Sequence, residues 1–270
     1  MMEHSLKFLY SRIKKPEYTK EQAESKVCQE IFIMKLGASE LMSKRVAFKG
    51  GLILDSLARG ERGYTKDIDF DLIKYPLSKE GLQVFIDDLN NVGIYKNISI
   101  HIESEEELRH KNYKGKRLML AFSDSISKFI LMVDVGIYLP IIKKNIFHDY
   151  EIAFGGSTKI LVNPIERMLA EKLSTFAIYG TDNTRSKDLF DAYYIINNFK
   201  FDNILVKKIL KILLVTKTHY FKKLDLAILE IKETLNDKMF VNELNKSTRN
   251  WTKSSVQEVI KGILSFLETM

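Results

Sequence analysis

"GYTKDIDFDL", residues 63–72, sets Asp67, Asp69 and Asp71 at alternate positions, with Ile68, Phe70 and Leu72 between and after them. In a β-strand successive side chains point to opposite faces, so the three apolar residues enter a core and the three carboxylates share the other face. Such a row of like charges repels itself. One reading is the solvated face of an antiparallel strand, for which alternation is the ordinary signal. The other is a divalent-metal site, because hard cations such as Mg2+ take oxygen ligands and relieve the repulsion among clustered carboxylates. The rest of the chain has to decide between them.

With 270 residues the chain is long enough for two domains, each with a core. Its 42 basic and 35 acidic residues leave a formal charge of +7, which favours a polyanionic partner. Cys28 is the sole cysteine, which excludes an intramolecular disulfide, argues against a cysteine-based zinc site, and suits a reducing cytoplasm. The opening "MMEHSLKFLYSRIKK" has no apolar run ending in a small-residue cleavage site. Nothing later approaches roughly eighteen uncharged apolar residues, so neither export nor membrane insertion is expected.

Residues 20–43 carry Val27, Ile31, Met34 and Leu41 at near-helical spacing, and the Gly pair of "AFKGGLILDSLARG" introduces a shorter helical pattern. Residues 80–92 read as a helix. "NISIHIE", "RLMLAF" and "KFILMVDVGIYL" read as strands, and "YEIAFGGSTKILV" as a further strand or hairpin. From Asn163 onward helical periods dominate. The expected fold is therefore α+β: a mixed sheet flanked by helices over residues 1–158, then a helical bundle over residues 159–270.

Three places carry chemistry. In "KGG", Lys49 to Gly51, the glycines precede a helical run, so backbone N–H groups there are free either to approach a phosphate or simply to turn the chain. Asp134 is the single acid in an otherwise apolar strand; it either reaches a polar rim or joins Asp67 and Asp69 as a third metal ligand. The third place is a pair of helices. Asn163 as N-cap, Pro164 at the first helical position, Glu166 three residues after the cap and Gly180 as the stop define the first. Its apolar stripe of Ile165, Met168, Leu169, Leu173 and Phe176 contains Lys172, whose stem either snorkels or delivers an ammonium to a charged cleft. In "RSKDLFDAYYIINNF" Arg185 and Asp188 likewise project onto the apolar side, with Asp191 at its border. That is either a helix-start ion pair or a second sign of a polar cleft between the domains.

Taken in order, the Gly pair, "TKDIDFDL", a later strand aspartate, "AEKLSTF" and "RSKDLFDAYYII" resemble the AbiEii/AbiGii nucleotidyltransferase toxins of the DNA polymerase β-like superfamily, over residues from about 45 to 200. The resemblance implies a polymerase β-like fold and membership of a bacterial abortive-infection toxin–antitoxin system. It implies transfer of a nucleotide from an NTP, with Mg2+ or Mn2+, to a tRNA 3′ end or other RNA acceptor, and a cognate antitoxin. By position, Gly50 and Gly51 match the phosphate motif, Asp67 and Asp69 the metal pair, Lys172 the essential lysine and Asp188 the late aspartate. Lys49, Arg62, Thr65, Arg185 and Asp191 complete the nucleotide-binding set, and Asp71 is expected to be a peripheral charge. Two positions depart from the pattern. Gly63 stands where the family has arginine, with Arg62 one residue earlier, and Gly51 stands where the wider superfamily has serine. "VKKILKILLVTKTHYFKKL" reads either as an RNA-backbone surface or as an amphipathic helix with a solvated basic face. A transferase acting on a small molecule or a protein, and a silent nucleotide- or RNA-binding module, are the competing functional readings.

Overall fold

Residues 67–72 form a strand whose Ile68, Phe70 and Leu72 are fully buried while Asp67 and Asp69 are partly exposed. The computed structural model describes residues 5–13, 18–108, 115–138, 146–182, 186–216 and 219–270. The chain forms two compact units, Met1–Asn163 and Pro164–Met270.

In the first unit the elements run α1 (Leu6–Ile13), α2 (Lys20–Ala38), β1 (Val46–Lys49), α3 (Gly50–Leu57), β2 (Asp67–Leu72), α4 (Lys79–Asn91), β3 (Ser99–Glu107), β4 (Gly115–Ser123), β5 (Lys128–Ile137), β6 (Ile146–Glu151) and β7 (Ser157–Val162). The strands form one mixed sheet in the order β3-β4-β5-β2-β1-β7-β6. β2 pairs with β5 and β1 with β7 in parallel; the other neighbours are antiparallel. The protein is thus an α+β fold with a mixed sheet and flanking helices.

Strand alternation sends Phe48 and Phe70 to one face, where Phe32 of α2 and Phe85 of α4 meet them at ring-centroid distances of 5.8 to 6.5 Å. All four rings are almost wholly removed from water, a contribution of roughly 2–3 kcal/mol each. The N-terminus of α2 is fixed by a capping box between Thr19 and Gln22. The helix is also tied to the sheet edge by Glu30. This buried carboxylate accepts from Lys26 at 2.7 Å, from the Tyr150 hydroxyl at 3.0 Å and from the Ala153 N–H at 2.8 Å. With its charge paired on three sides, the burial of Glu30 is tolerable.

The second unit is helical: α5 (Ile165–Tyr179), α6 (Ser186–Asn198), α7 (Asn203–Lys211), α8 (Leu224–Asn236), α9 (Lys238–Lys246) and α10 (Val256–Glu268), with α5 packed against α6, α7 and α8. The start of α5 differs from the sequence expectation. Pro164 is the cap, not the first helical residue, and Asn163 does not cap. The Asn163 amide is buried and donates to Asp71 Oδ2 at 3.1 Å, so it is committed elsewhere. Gly180, at φ +51°, ends the helix as expected. The basic C-terminal segment is not one α-helix either, since the chain widens into a π-helical turn at Ile212–Thr216. No helix among the described residues is long and apolar enough to cross a membrane.

Candidate active site

Sheet register builds the acidic centre. Lys49 on β1 stands opposite Asp69 on β2, Asp69 opposite Asp134 on β5, and Asp134 opposite Arg117 on β4. Residues opposite one another share a face, so one row across four strands reads cation, anion, anion, cation. Asp67 lies one step along β2 on the same face. Ligand oxygens of Asp67, Asp69 and Asp134 all fall within 4.8 Å of one another. Thr65 steadies the entry to β2: its hydroxyl donates to Asp67 Oδ1 at 3.2 Å, and its carbonyl accepts from the Gln29 amide at 2.9 Å.

Asp134 is brought to its two partners, but both its oxygens are already engaged. Arg117 donates from Nε to Oδ1 and from NH2 to Oδ2, each at 2.8 Å. The carboxylate in turn holds the guanidinium in its charged form, raising its pKa further. Sequence reasoning did not select Arg117.

The Gly pair serves close approach, and the groups that approach are the site's own side chains. Gly50 opens α3 directly from β1 with φ +71°, and a Cβ there would stand 2.2 Å from Asp69 Oδ2. At Gly51 a Cβ would lie 2.6 to 2.8 Å from the guanidinium atoms of Arg62. Arg62 is therefore packed against the N-terminus of α3 and is 7% exposed. Its displacement by one residue has a local cause. Gly63 adopts φ +77°, where an arginine would be strained, and its N–H donates to Asp55 Oδ1 at 2.9 Å.

Asp71 is not peripheral. It is fully buried, 2.9 Å from Lys49 Nζ and hydrogen-bonded by Asn163. Lys49 is thus directed along the sheet into a buried ion pair, and a carboxylate in that setting requires such a partner.

In the helical unit the charges in the apolar stripes of α5 and α6 meet each other. Lys172 Nζ lies 2.6 Å from Asp188 Oδ1 and 2.8 Å from Asp191 Oδ2. Asp191 is fully buried and accepts from Trp251 Nε1 at 3.0 Å, and the Trp251 ring lies against Tyr194 with centroids 4.5 Å apart. Mutual pairing accounts for Lys172 and Asp188 in their stripes. Trp251 went unselected, although a lone tryptophan in the polar run "STRNWTKSS" was a visible anomaly. Arg185 lies outside the described residues.

The family model for the nucleotidyl transferase AbiEii toxin of a type IV toxin–antitoxin system matches residues 38–259. The chain belongs to the AbiEii nucleotidyltransferase toxin family. The matched span takes in every residue of the acidic row, the lysine–aspartate cluster and Trp251. Two solved structures are similar to the chain. JHP933 from Helicobacter pylori is 14% identical, with a TM-score of 0.49, covering 94% of this chain and 93% of that one. A candidate nucleotidyltransferase from H. pylori is 14% identical, with a TM-score of 0.48, covering 93% and 95%. No curated protein matches the chain.

Nucleotidyl transfer by an AbiEii-type enzyme implies a divalent cation, and the residues present fit one. Three hard oxygen donors converge within 4.8 Å, a donor set suited to Mg2+ or Mn2+ and unsuited to soft metals. Asp67, Asp69 and Asp134 each offer one oxygen to such an ion, Asp134 while its oxygens also accept from Arg117.

Proposed function

We propose that this AbiEii-family nucleotidyltransferase is the toxin of an abortive-infection system with a cognate antitoxin, and that it transfers a nucleoside monophosphate from an NTP to the 3′ end of a tRNA. The observation that carries the reading is the convergence of Asp67, Asp69 and Asp134 beside the N-terminus of α3. Asp67 and Asp69 hold the divalent cation, with Asp134 as the third ligand. When bound, it offsets the charge of the triphosphate and polarises the reacting phosphoryl group. Gly50 and Gly51 present the N-terminal N–H groups of α3 to phosphate, and Arg62, seated on Gly51, adds a fixed positive charge. Lys172, held by Asp188 and Asp191 within the helical unit, is the family's essential lysine by position, and Thr65 orients Asp67. The acceptor hydroxyl attacks the α-phosphorus, pyrophosphate departs, and the hydroxyl proton passes to water. The chain's own contribution is positioning and charge neutralisation.

An RNA acceptor is favoured by the +7 charge and by the exposed Lys207, Lys208, Lys211, Lys222 and Lys223, which offer contacts to a phosphate backbone. The test is label transfer from each α-labelled NTP to total tRNA in the presence of Mg2+, with Asp69→Asn as control. Label in tRNA with the wild type and none with the variant is the expected result. Intact Mg2+–NTP binding with no label on any RNA would overturn the tRNA assignment in favour of a small-molecule or protein acceptor.

A further inference from the structure

Trp251, the sole tryptophan, stays half-buried in the segment between α9 and α10. That segment, "STRNWTKSS" over residues 247–255, carries two basic residues, Arg249 and Lys253, and no acidic one. It is pinned along its length. The Ser247 hydroxyl lies 3.2 Å from that of Ser186 at the start of α6, and the Ser254 hydroxyl 3.4 Å from that of Tyr193 in the same helix. Between them the Asn250 amide donates to the Ser254 carbonyl at 2.8 Å and accepts from the Thr252 N–H at 3.1 Å. The ring is therefore held in place. Its Nε1 donates to Asp191 Oδ1, and Lys172 binds the other oxygen of that carboxylate at 2.8 Å, so indole edge and ammonium sit a carboxylate's width apart. Tyr194 meets the indole at 4.5 Å and Phe199 at 6.0 Å, centroid to centroid, and both are half-buried too. An indole that served only to cap Asp191 would gain by sinking into the α6–α10 core beside it, where Ile195, Val259 and Ile263 are fully buried.

We propose that Trp251, backed by Tyr194, is a stacking platform for a base of the single-stranded RNA acceptor. This rests on the reading of RNA as the acceptor. Every base offers a flat π-face, so one rigid aromatic ring serves any sequence, and single-stranded RNA can splay its bases outward to reach it. A duplex cannot do so, because its paired bases keep their faces stacked on one another. Charge separates the acceptor from the donor NTP as occupant. Lys172, Asp188 and Asp191 sum to one negative charge beside the ring, which opposes a compact triphosphate there. Arg249 and Lys253, two residues before and two after the ring, suit phosphates spaced along a strand. Trp251 thus binds and positions, and takes no part in the chemistry.

The experiment follows the emission of this sole tryptophan as a short oligoadenylate is added to the full chain, without NTP or divalent metal so that no transfer occurs. Binding is read in parallel from the anisotropy of the same RNA carrying a 5′ fluorophore. The emission should be quenched saturably, along the binding isotherm. Trp251→Ala should weaken RNA binding about tenfold or more, and Trp251→Phe, which keeps a stacking ring, less than about threefold. RNA that binds wild type and Trp251→Ala equally, with emission unchanged, would refute the platform and leave the RNA acceptor standing. Failure of the wild type to bind any RNA would remove the acceptor reading and this proposal with it. Equal quenching by ATP alone would give the ring to the donor nucleotide, and equal quenching by duplex RNA would rule out stacking on a splayed base; either overturns the proposal. Should circular dichroism show that Trp251→Ala does not fold, the wild type decides: a quench that tracks binding supports the platform, and bound RNA with unquenched emission overturns it.

Discussion

Lys35 gives the sharpest test of the packing described above. It lies in α2 with no exposed surface, and among the described residues its ammonium reaches only the Leu89 carbonyl, at 3.4 Å, in the last turn of α4. Burial lowers its pKa from 10.5 to about 8. At about 1.36 kcal/mol per pH unit, carrying the proton in the folded protein costs about 3 kcal/mol. Because the folded pKa lies below the unfolded one, native and unfolded chains are both protonated below pH 8 and the native state bears the whole cost. Between pH 8 and 10.5 the unfolded chain binds more protons, so stability rises with pH. Lys35→Met keeps the length of the side chain and removes the charge. The variant should be more stable than wild type by about 2–3 kcal/mol at pH 7, with the advantage falling to about 1 kcal/mol by pH 10. Cys28 provides the assay: it is the sole cysteine, is fully buried, and sits in the same helix, so a brief thiol-labelling pulse across a urea series reports the opening of α2. At roughly 2 kcal/mol/M the midpoint should rise by about 1 M at pH 7. A midpoint that falls, or one that rises equally at pH 7 and pH 10, would refute the reasoning.

Gly50→Ala places a Cβ against Asp69 at φ +71°, whereas Gly60→Ala, at φ +81°, meets nothing within 4 Å. Both should lose about 1–2 kcal/mol of stability from backbone strain, but only the first should abolish label transfer; loss of transfer in both would mean that strain, not the Asp69 contact, governs activity. Trp251→Phe removes the indole donor to buried Asp191. It should lower kcat/KM about tenfold with far-UV dichroism unchanged, and Asp191→Asn should shift the emission of this sole tryptophan; activity within twofold of wild type would show that the clamp on Lys172 is dispensable. Asp71→Asn breaks the buried pair with Lys49 and should destabilise by about 3 kcal/mol, measured with the same Cys28 pulse, whereas a solvated strand-face charge would change the midpoint hardly at all.

Local period was legible where local period decides. The alternation in residues 67–72 placed Ile68, Phe70 and Leu72 in the core, and the helical stripe of α5 singled out Lys172, because both depend only on a residue's own element. What was missed depends on partners from other elements. The fate of Asp71 is set by the β1–β2 register that brings Lys49 diagonally to it, and that of Asn163 by the same carboxylate. Arg117 had a readable signal. If "SDSISK" closes a hairpin with Ser123 opposite Lys128, then Arg117 and Asp134 lie equally far from the turn, on the same face, one cation and one anion in two apolar strands. No comparable signal in the sequence links Trp251 to Asp191 across 60 residues of chain.

Charges set inside apolar patterns marked Asp134, Lys172 and Asp188; these and Asp71, expected at the periphery, are all paired in the fold, because an unpaired charge there would cost several kcal/mol. Pairing alone therefore does not separate a structural charge from a functional one. Exposure of the carboxylate does. Asp71 has none, and Lys49 and Asn163 close over it. Asp188 retains 14% and Asp134 16%. A pair that water can reach exchanges its partner for a phosphate or a divalent cation at little net cost, since the incoming charge replaces the outgoing one. The anomaly worth seeking in a sequence is thus a charge in an apolar stripe whose carboxylate partner keeps some contact with water in the fold.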